Sequence, residues 1–210
     1  VKTRTINLYQ FDELSDSAKE KARQWWRDCE SQEFGSFGDL TESAETAAKL
    51  LGIEFGWHDV PLHGGGRRSE PNIYWQLHTQ GSGASFEGRY SYSVGSAKNI
   101  RSEFGDETLH KIADDLVALQ KKYGYKLSAT IAANGRDVHK YAMSLDCVKR
   151  NGHVCATDDD DALLELMRDF ADWIYKGIDD EWTYRMSDEN VDDAIRANEY
   201  DFRENGDRDR

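Results

Sequence analysis

The feature that most constrains this chain is the order in which two hydrophobic periods appear along it. Period-two alternation recurs in Ile53, Phe55 and Trp57, in residues 72–79, in 86–94, in 125–133 and in 138–148, as in strands that bury one face. Period-3.6 stripes lie between and around these runs. Strands and helices do not alternate one for one, and no repeat of 20 to 50 residues is present, so the chain is expected to be α+β rather than a doubly wound or solenoid fold. The expected architecture is an antiparallel sheet of five or six strands with helices packed on it. A single domain over residues 1–200 and a polar tail over 201–210 are expected.

Helix boundaries follow from caps and stripes. Residues 3–9 alternate as a short strand, and Ser15 then caps a helix carrying Ala18, Ala22, Trp25 or Trp26, and Cys29 inward, ended by the Gly-Ser-Phe-Gly stretch at 35–38. A second helix is expected over 41–51, with Gly52 just beyond its end. A short helix over 96–104 and a stronger one over 106–123 follow, the latter with Leu109, Ile112, Ala113, Leu116, Leu119 and Tyr123 on one stripe. A long helix over 159–182 buries Leu163, Leu164, Met167, Phe170, Ala171, Ile174 and Ile178. A last one, capped by Ser187, uses Val191, Ala194 and Ile195. Residues 58–71, with three consecutive glycines at 64–66, read as a mobile loop. Strands 72–79 and 86–94 are expected to form a hairpin around Gly81-Ser82-Gly83, and 125–133 with 138–148 a second one around Asn134-Gly135.

Charge separates the chain into unequal parts. Of a formal net charge of −13, residues 1–155 hold 21 Asp/Glu against 20 Lys/Arg, while residues 156–210 hold 19 against 7. Phosphate backbones repel such a surface, which disfavours direct nucleic-acid binding and makes a basic protein the natural partner. No apolar run approaches the roughly 20 residues of a membrane-spanning helix, and residues 1–7 do not read as a signal peptide, so a cytoplasmic protein is expected. The three cysteines, Cys29, Cys147 and Cys155, are odd in number and lack Cys-x-x-Cys spacing, which suits a reducing compartment. Cys147 and Cys155 could face each other across the Asn151-Gly152 turn, but they read as reduced, buried thiols.

Four groups of residues carry candidate chemistry. In the run 80–88 the glycines can turn successive amides toward one anion, with Gly81, Ser82, Gly83, Ser85 and Arg89 as an anion or nucleotide site; the same glycines also serve simply as hairpin and bulge residues. His58, His63, His78, His110, His139 and His153 show no metal-ligand spacing. Asp158 to Asp161 sit where a helix begins and need no metal to explain them. Asp161, Glu165, Asp169 and Asp172 recur at steps of four, four and three, so they share one helix face as an acidic ridge, and Asp179 and Asp180 extend the acidic surface beyond it. These six form the candidate partner-binding set. The single ridge is too sparse to imitate duplex DNA unless the acidic residues after Asp179 add parallel rows.

Residues 9–23, Tyr-Gln-Phe-Asp-Glu-Leu-Ser-Asp-Ser-Ala-Lys-Glu-Lys-Ala-Arg, resemble the start of a widespread group of bacteriophage and prophage proteins often labelled antitoxin of a toxin–antitoxin stability system. The run 80–92 and the stretch 169–175 resemble the same group, although Ser82 stands where the group carries Asp. The resemblance implies a phage-encoded host-takeover or counter-defence factor: an antitoxin-like or anti-CRISPR-like inhibitor of a host protein or nucleic-acid-binding complex. It implies no cofactor and favours a binding protein over an enzyme. A nucleotide-binding protein using the 80–89 loop and a structural phage component are the alternatives.

Overall fold

The computed structural model describes residues 5–33, 38–78, 81–133, 138–150, 153–154 and 159–209. Two compact units are present, Gly38–Ile178 and the paired ends of the chain, Val1–Phe37 with Asp179–Arg210. The elements in chain order are α1 (Asp16–Glu33), α2 (Gly38–Leu51), β1 (Ile53–Phe55), β2 (Trp57–Pro61), β3 (Arg67–Pro71), β4 (Ile73–Gln76), β5 (Gly83–Phe86), β6 (Gly88–Ser91), α3 (Ser96–Glu103), α4 (Glu107–Lys122), β7 (Leu127–Ala133), β8 (Met143–Arg150), β9 (His153–Val154), α5 (Asp160–Met186) and α6 (Asp188–Ala197).

The larger unit carries a four-stranded antiparallel sheet, β1-β6-β7-β8, with the two-residue β9 at its edge. The remaining strands form two separate ribbons, β2·β3 and β4·β5. The expectation of five or six strands in one sheet is therefore corrected, and the reason lies in three residues. Gly56, Asn72 and Glu87 each interrupt what would be one long strand, and each interruption is a change of partner. The segment before Gly56 pairs with β6 and the segment after it with β3; before Asn72 the partner is β2 and after it β5; before Glu87 it is β4 and after it β1. Three backbone hydrogen bonds close a ring at the meeting point: Gly56 N–H to Glu87 O at 2.8 Å, Asn72 N–H to Gly56 O at 2.7 Å and Glu87 N–H to Asn72 O at 3.0 Å. The interruption satisfies the backbone groups that a change of partner would otherwise orphan.

This junction also replaces the expected mobile loop. Residues 58–71 lie in an antiparallel ribbon with His58 opposite Glu70 and Val60 opposite Arg68, closed at Leu62–Gly66. The expected pairing of 72–79 with 86–94 is realised only by β4 and β5, in register Ile73 to Phe86 through Gln76 to Gly83, because Glu87 diverts the chain into the main sheet. The second pairing holds: β7 lies against β8, with a register shift at Thr130/Ile131. Residues 140–142 are a 3₁₀ turn rather than strand, and the turn residues Asn134 and Gly135 lie outside the described residues. So do Asn151, Gly152 and Cys155, on which the facing of Cys147 and Cys155 depends.

On the core side Phe170 of α5 plugs the junction. Its ring centroid is 6.4 Å from that of Phe55, which precedes Gly56, and 5.7 Å from that of Phe86, which precedes Glu87. Phe55 and Phe86 meet edge to face at 5.4 Å. The α5 stripe is buried as its period requires, with Leu163, Leu166, Met167, Phe170, Ala171, Ile174 and Ile178 inside; Leu164 is half-buried and Leu166 takes the inward place. Helix α4 begins at Asp106, whose side chain accepts from Leu109 N–H at 2.9 Å, and buries Leu109, Ile112, Ala113, Leu116 and Leu119. Its Gln120 is fully buried and fully used: Nε2 donates to Leu127 O at 2.7 Å and to Tyr90 Oη at 3.2 Å, and Oε1 accepts from Leu127 N–H at 3.1 Å.

The smaller unit packs Phe11, Leu14, Ala18, Ala22, Val191, Ile195 and Phe202 into one cluster, with Tyr9, Trp25, Trp26 and Tyr200 beside it. Of the strand expected over 3–9, the described residues 5–9 show a single antiparallel bridge, Tyr9 to Phe202, and residues 3 and 4 lie outside the described residues. The segment read as a polar tail thus delivers a fully buried phenylalanine, and Arg208 stacks over Trp25 and Tyr200 at 4.8 and 4.4 Å. Arg23 grips Asp192 with two hydrogen bonds, at 2.7 and 2.9 Å, and so ties α1 to α6.

Close approach at the junction leaves no room for a side chain at Gly88, where a Cβ would lie 2.2 Å from Glu54 O. Gly88→Ala is expected to destabilise the protein by about 2–3 kcal/mol in urea unfolding, whereas Gly64→Ala, with nothing within 4 Å, changes little. Burial also pushes the Tyr90 phenol up to about 12, against a smaller opposing pull from the Gln120 hydrogen bond. A folded-state pKa above the unfolded one leaves stability intact below pH 10 and removes it as pH rises toward 12. Tyr90→Phe is therefore expected to remove an alkaline loss on the order of 2 kcal/mol, read from unfolding curves between pH 9 and 12.

Candidate functional site

The junction carries a chain of polar side chains. Asn72 Nδ2 donates to Glu87 Oε2 at 3.0 Å, and Tyr74 Oη donates to the same oxygen at 3.3 Å. A carboxylate only accepts, so this bond fixes the Asn72 amide and turns its Oδ1 toward His58 Nδ1, 2.9 Å away. Facing that oxygen, His58 Nδ1 is the donor of the pair, on an exposed ribbon. Burial, followed by the charge and hydrogen bond of Glu87, pushes the Tyr74 phenol up. Gly56 makes the approach possible, since a Cβ there would meet Asn72 Nδ2 at 2.8 Å.

On the outer face of the sheet a cavity of about 440 Å³ opens beside this chain, lined by Glu54, Asn72, Glu87, Arg89 and Thr130 among others. Glu54, Arg89 and Thr130 are cross-strand neighbours on β1, β6 and β7. Arg89 makes no ion pair among the described residues, so its guanidinium remains available to an anion.

The anion set inferred from sequence is divided by this arrangement. Gly81 and Ser82 lie at the turn before β5, Gly83 and Ser85 lie within β5, and Arg89 stands beyond the junction in β6. A Cβ on Gly83 would meet His139 at 3.0 Å, and Ser85 is fully buried with its Oγ unpartnered among the described residues. Among the described residues, the glycines at 81 and 83 precede the junction and Arg89 follows it. The sequence reading named His58 only as one of six scattered histidines and missed Asn72, Tyr74 and Glu87, for which Gly56 and Gly88 were the available signal: each breaks an alternating run at a close approach.

The acidic ridge is present on α5 and partly neutralised by its neighbours. Arg168 Nη1 lies 2.6 Å from Glu165, and Lys140 pairs with Asp172, whose hydrogen bond raises the Lys140 pKa. Arg168 also donates to the Lys140 and Met143 carbonyls at 3.3 and 3.2 Å, and both cations stack on Tyr141. Asp161 is exposed and makes no ion pair among the described residues. In the smaller unit Asp179 and Asp180 are likewise unpaired, Asp179 half-buried and Asp180 exposed. Among the described residues no group of three or more His, Cys, Asp or Glu is placed to hold a metal ion, and no helix is long and apolar enough to cross a membrane.

Residues 37–188 match the family model described as Domain of unknown function (DUF8835), a span that contains the larger unit whole. No curated protein and no solved structure matches the chain. The match covers more than half of the sequence, and the chain therefore belongs to the DUF8835 family.

Proposed function

We propose that this protein is a non-enzymatic binding protein that recognises a basic surface on another protein through its acidic C-terminal region. Acid excess carries this reading. The smaller unit holds 19 Asp/Glu against 11 Lys/Arg, and Asp161, Asp179 and Asp180 have no cation of their own among the described residues. Unpaired exposed carboxylates steer a basic partner and speed its encounter, an effect that salt weakens. Glu165 and Asp172 contribute less, because Arg168 and Lys140 already answer them. The resemblance of residues 9–23, 80–92 and 169–175 to phage proteins supports a host protein as the partner and the host cytoplasm as the place, with inhibition or counter-defence as the outcome.

A second reading is favoured by one observation, the unpaired Arg89 beside Asn72 and Thr130 in the outer cavity. It moves the anion or nucleotide site from the 80–88 run to the sheet face.

Neutralising Asp161, Asp179 and Asp180 together (to Asn) is expected to abolish the salt-sensitive part of partner capture from host extract. The same capture, with the same salt dependence, would contradict the acidic-surface reading. Retained capture combined with loss on Arg89→Ala would support the second.

A further inference from the structure

The larger unit contains another opening, apart from the acidic ridge and adjoining the Arg89 cavity, with which it shares Glu54. It is a groove of about 700 Å³ between α2 and the β1 end of the sheet, and its chemistry is specific. Glu42, Glu45 and Lys49 stand at steps of three and four on α2, so they share the face that lines it. Glu54 of β1 adds a third carboxylate. None of these four charged groups makes an ion pair among the described residues. Two aromatic rings complete the lining: Trp57, 53% exposed despite its size, and Tyr92, held against Tyr125 at 4.7 Å between centroids.

Exposed tryptophan beside uncompensated carboxylates is the combination that a cation satisfies. The ring face attracts positive charge through its quadrupole, the carboxylates neutralise it, and the aliphatic stem of an arginine or lysine covers apolar ring surface that water otherwise hydrates. With three carboxylates against one lysine, the groove complements positive charge.

We propose that this groove receives an arginine or lysine side chain from an extended basic segment of the partner. The proposal rests on the reading of a basic partner and adds a pocket within the family-matched region. Trp57 and Tyr92 supply the ring faces, and Glu42, Glu45 and Glu54 the counter-charge.

The test uses the full chain and two peptides, acetyl-Gly-Arg-Gly-Arg-Gly-amide and its citrulline counterpart, which keeps the shape and removes the charge. Titration is followed by two-dimensional NMR at the Trp57 indole and the Glu54 amide. A saturable shift with the arginine peptide and none with the citrulline peptide is expected. Trp57→Ala should weaken binding about tenfold. Lys49→Glu, a change on an exposed helix position, should tighten it and thereby rules out misfolding as the cause of any loss. Neutralising Asp161, Glu165, Asp169 and Asp172 should leave it unchanged. Absence of a Trp57 shift at millimolar peptide overturns the groove, as does arginine binding that survives Trp57→Ala and is lost on neutralising the ridge. In the latter case the acidic-surface reading stands without the groove. If the groove binds arginine while partner capture proves insensitive to salt, the failure belongs to the broader reading.

Discussion

The ring of three backbone hydrogen bonds joining Gly56, Asn72 and Glu87 decides how the rest of the larger unit is arranged. Each strand that reaches it leaves with a different partner, so three ribbons radiate from one point instead of lying side by side. A buried backbone group without a partner costs about as much as a lost hydrogen bond, and a change of partner threatens several at once. Here the interrupting residues exchange their own N–H and C=O groups. The glycines at 56 and 88 permit the approach, and Phe170 fills the core side against Phe55 and Phe86. The same geometry places Asn72 between His58 and Glu87, sets Arg89 beside the outer cavity and leaves Trp57 exposed at the start of β2.

Charge in this protein is less available than its formal value suggests. Asp192 is held by Arg23, Asp188 by Arg27, Glu165 by Arg168 and Asp172 by Lys140. Arg23–Asp192 is part-buried, whereas exposed pairs stabilise a fold by only about 0–1 kcal/mol each, but every such pair removes a carboxylate from the field at the surface. Other carboxylates make no ion pair among the described residues, including Asp161 on α5, Asp179 and Asp180 in the smaller unit, and the three glutamates around Trp57. In the proposed recognition of a basic protein, carboxylates without an internal cation would count for more than total charge, and an aromatic ring among them would add selectivity that a bare acidic face lacks.

Helices were legible in the sequence because their stripes and caps act locally. Leu109 to Leu119 lie where the period places them, and so do Leu163 to Ile178 apart from Leu166, which takes the inward place expected of Leu164. Alternation, by contrast, reveals which face of a strand is buried and is silent about which strand lies beside it, so the change of partner at Gly56, Asn72 and Glu87 had no signature beyond the glycines at 56 and 88. Residues 58–71 read as a loop for a related reason: the β2·β3 ribbon buries neither face fully, and without a buried face the period-two signal vanishes. Phe202 was hidden as one aromatic residue in a polar string, its partner Tyr9 lying almost the whole chain away. Within the candidate sites, the ridge was readable from helical spacing, but its compensation by Lys140 was not, since that contact joins distant segments.

Amide hydrogen exchange at Gly56, Asn72 and Glu87 tests the central claim most directly. These residues lie between strands, and as ordinary loop amides they would exchange within the time of mixing. Membership of the ring requires protection comparable to that of Tyr90 and Ile131 in the main sheet, lost together when the larger unit unfolds. Fast exchange at all three, with β6 and β7 still protected, would contradict the account.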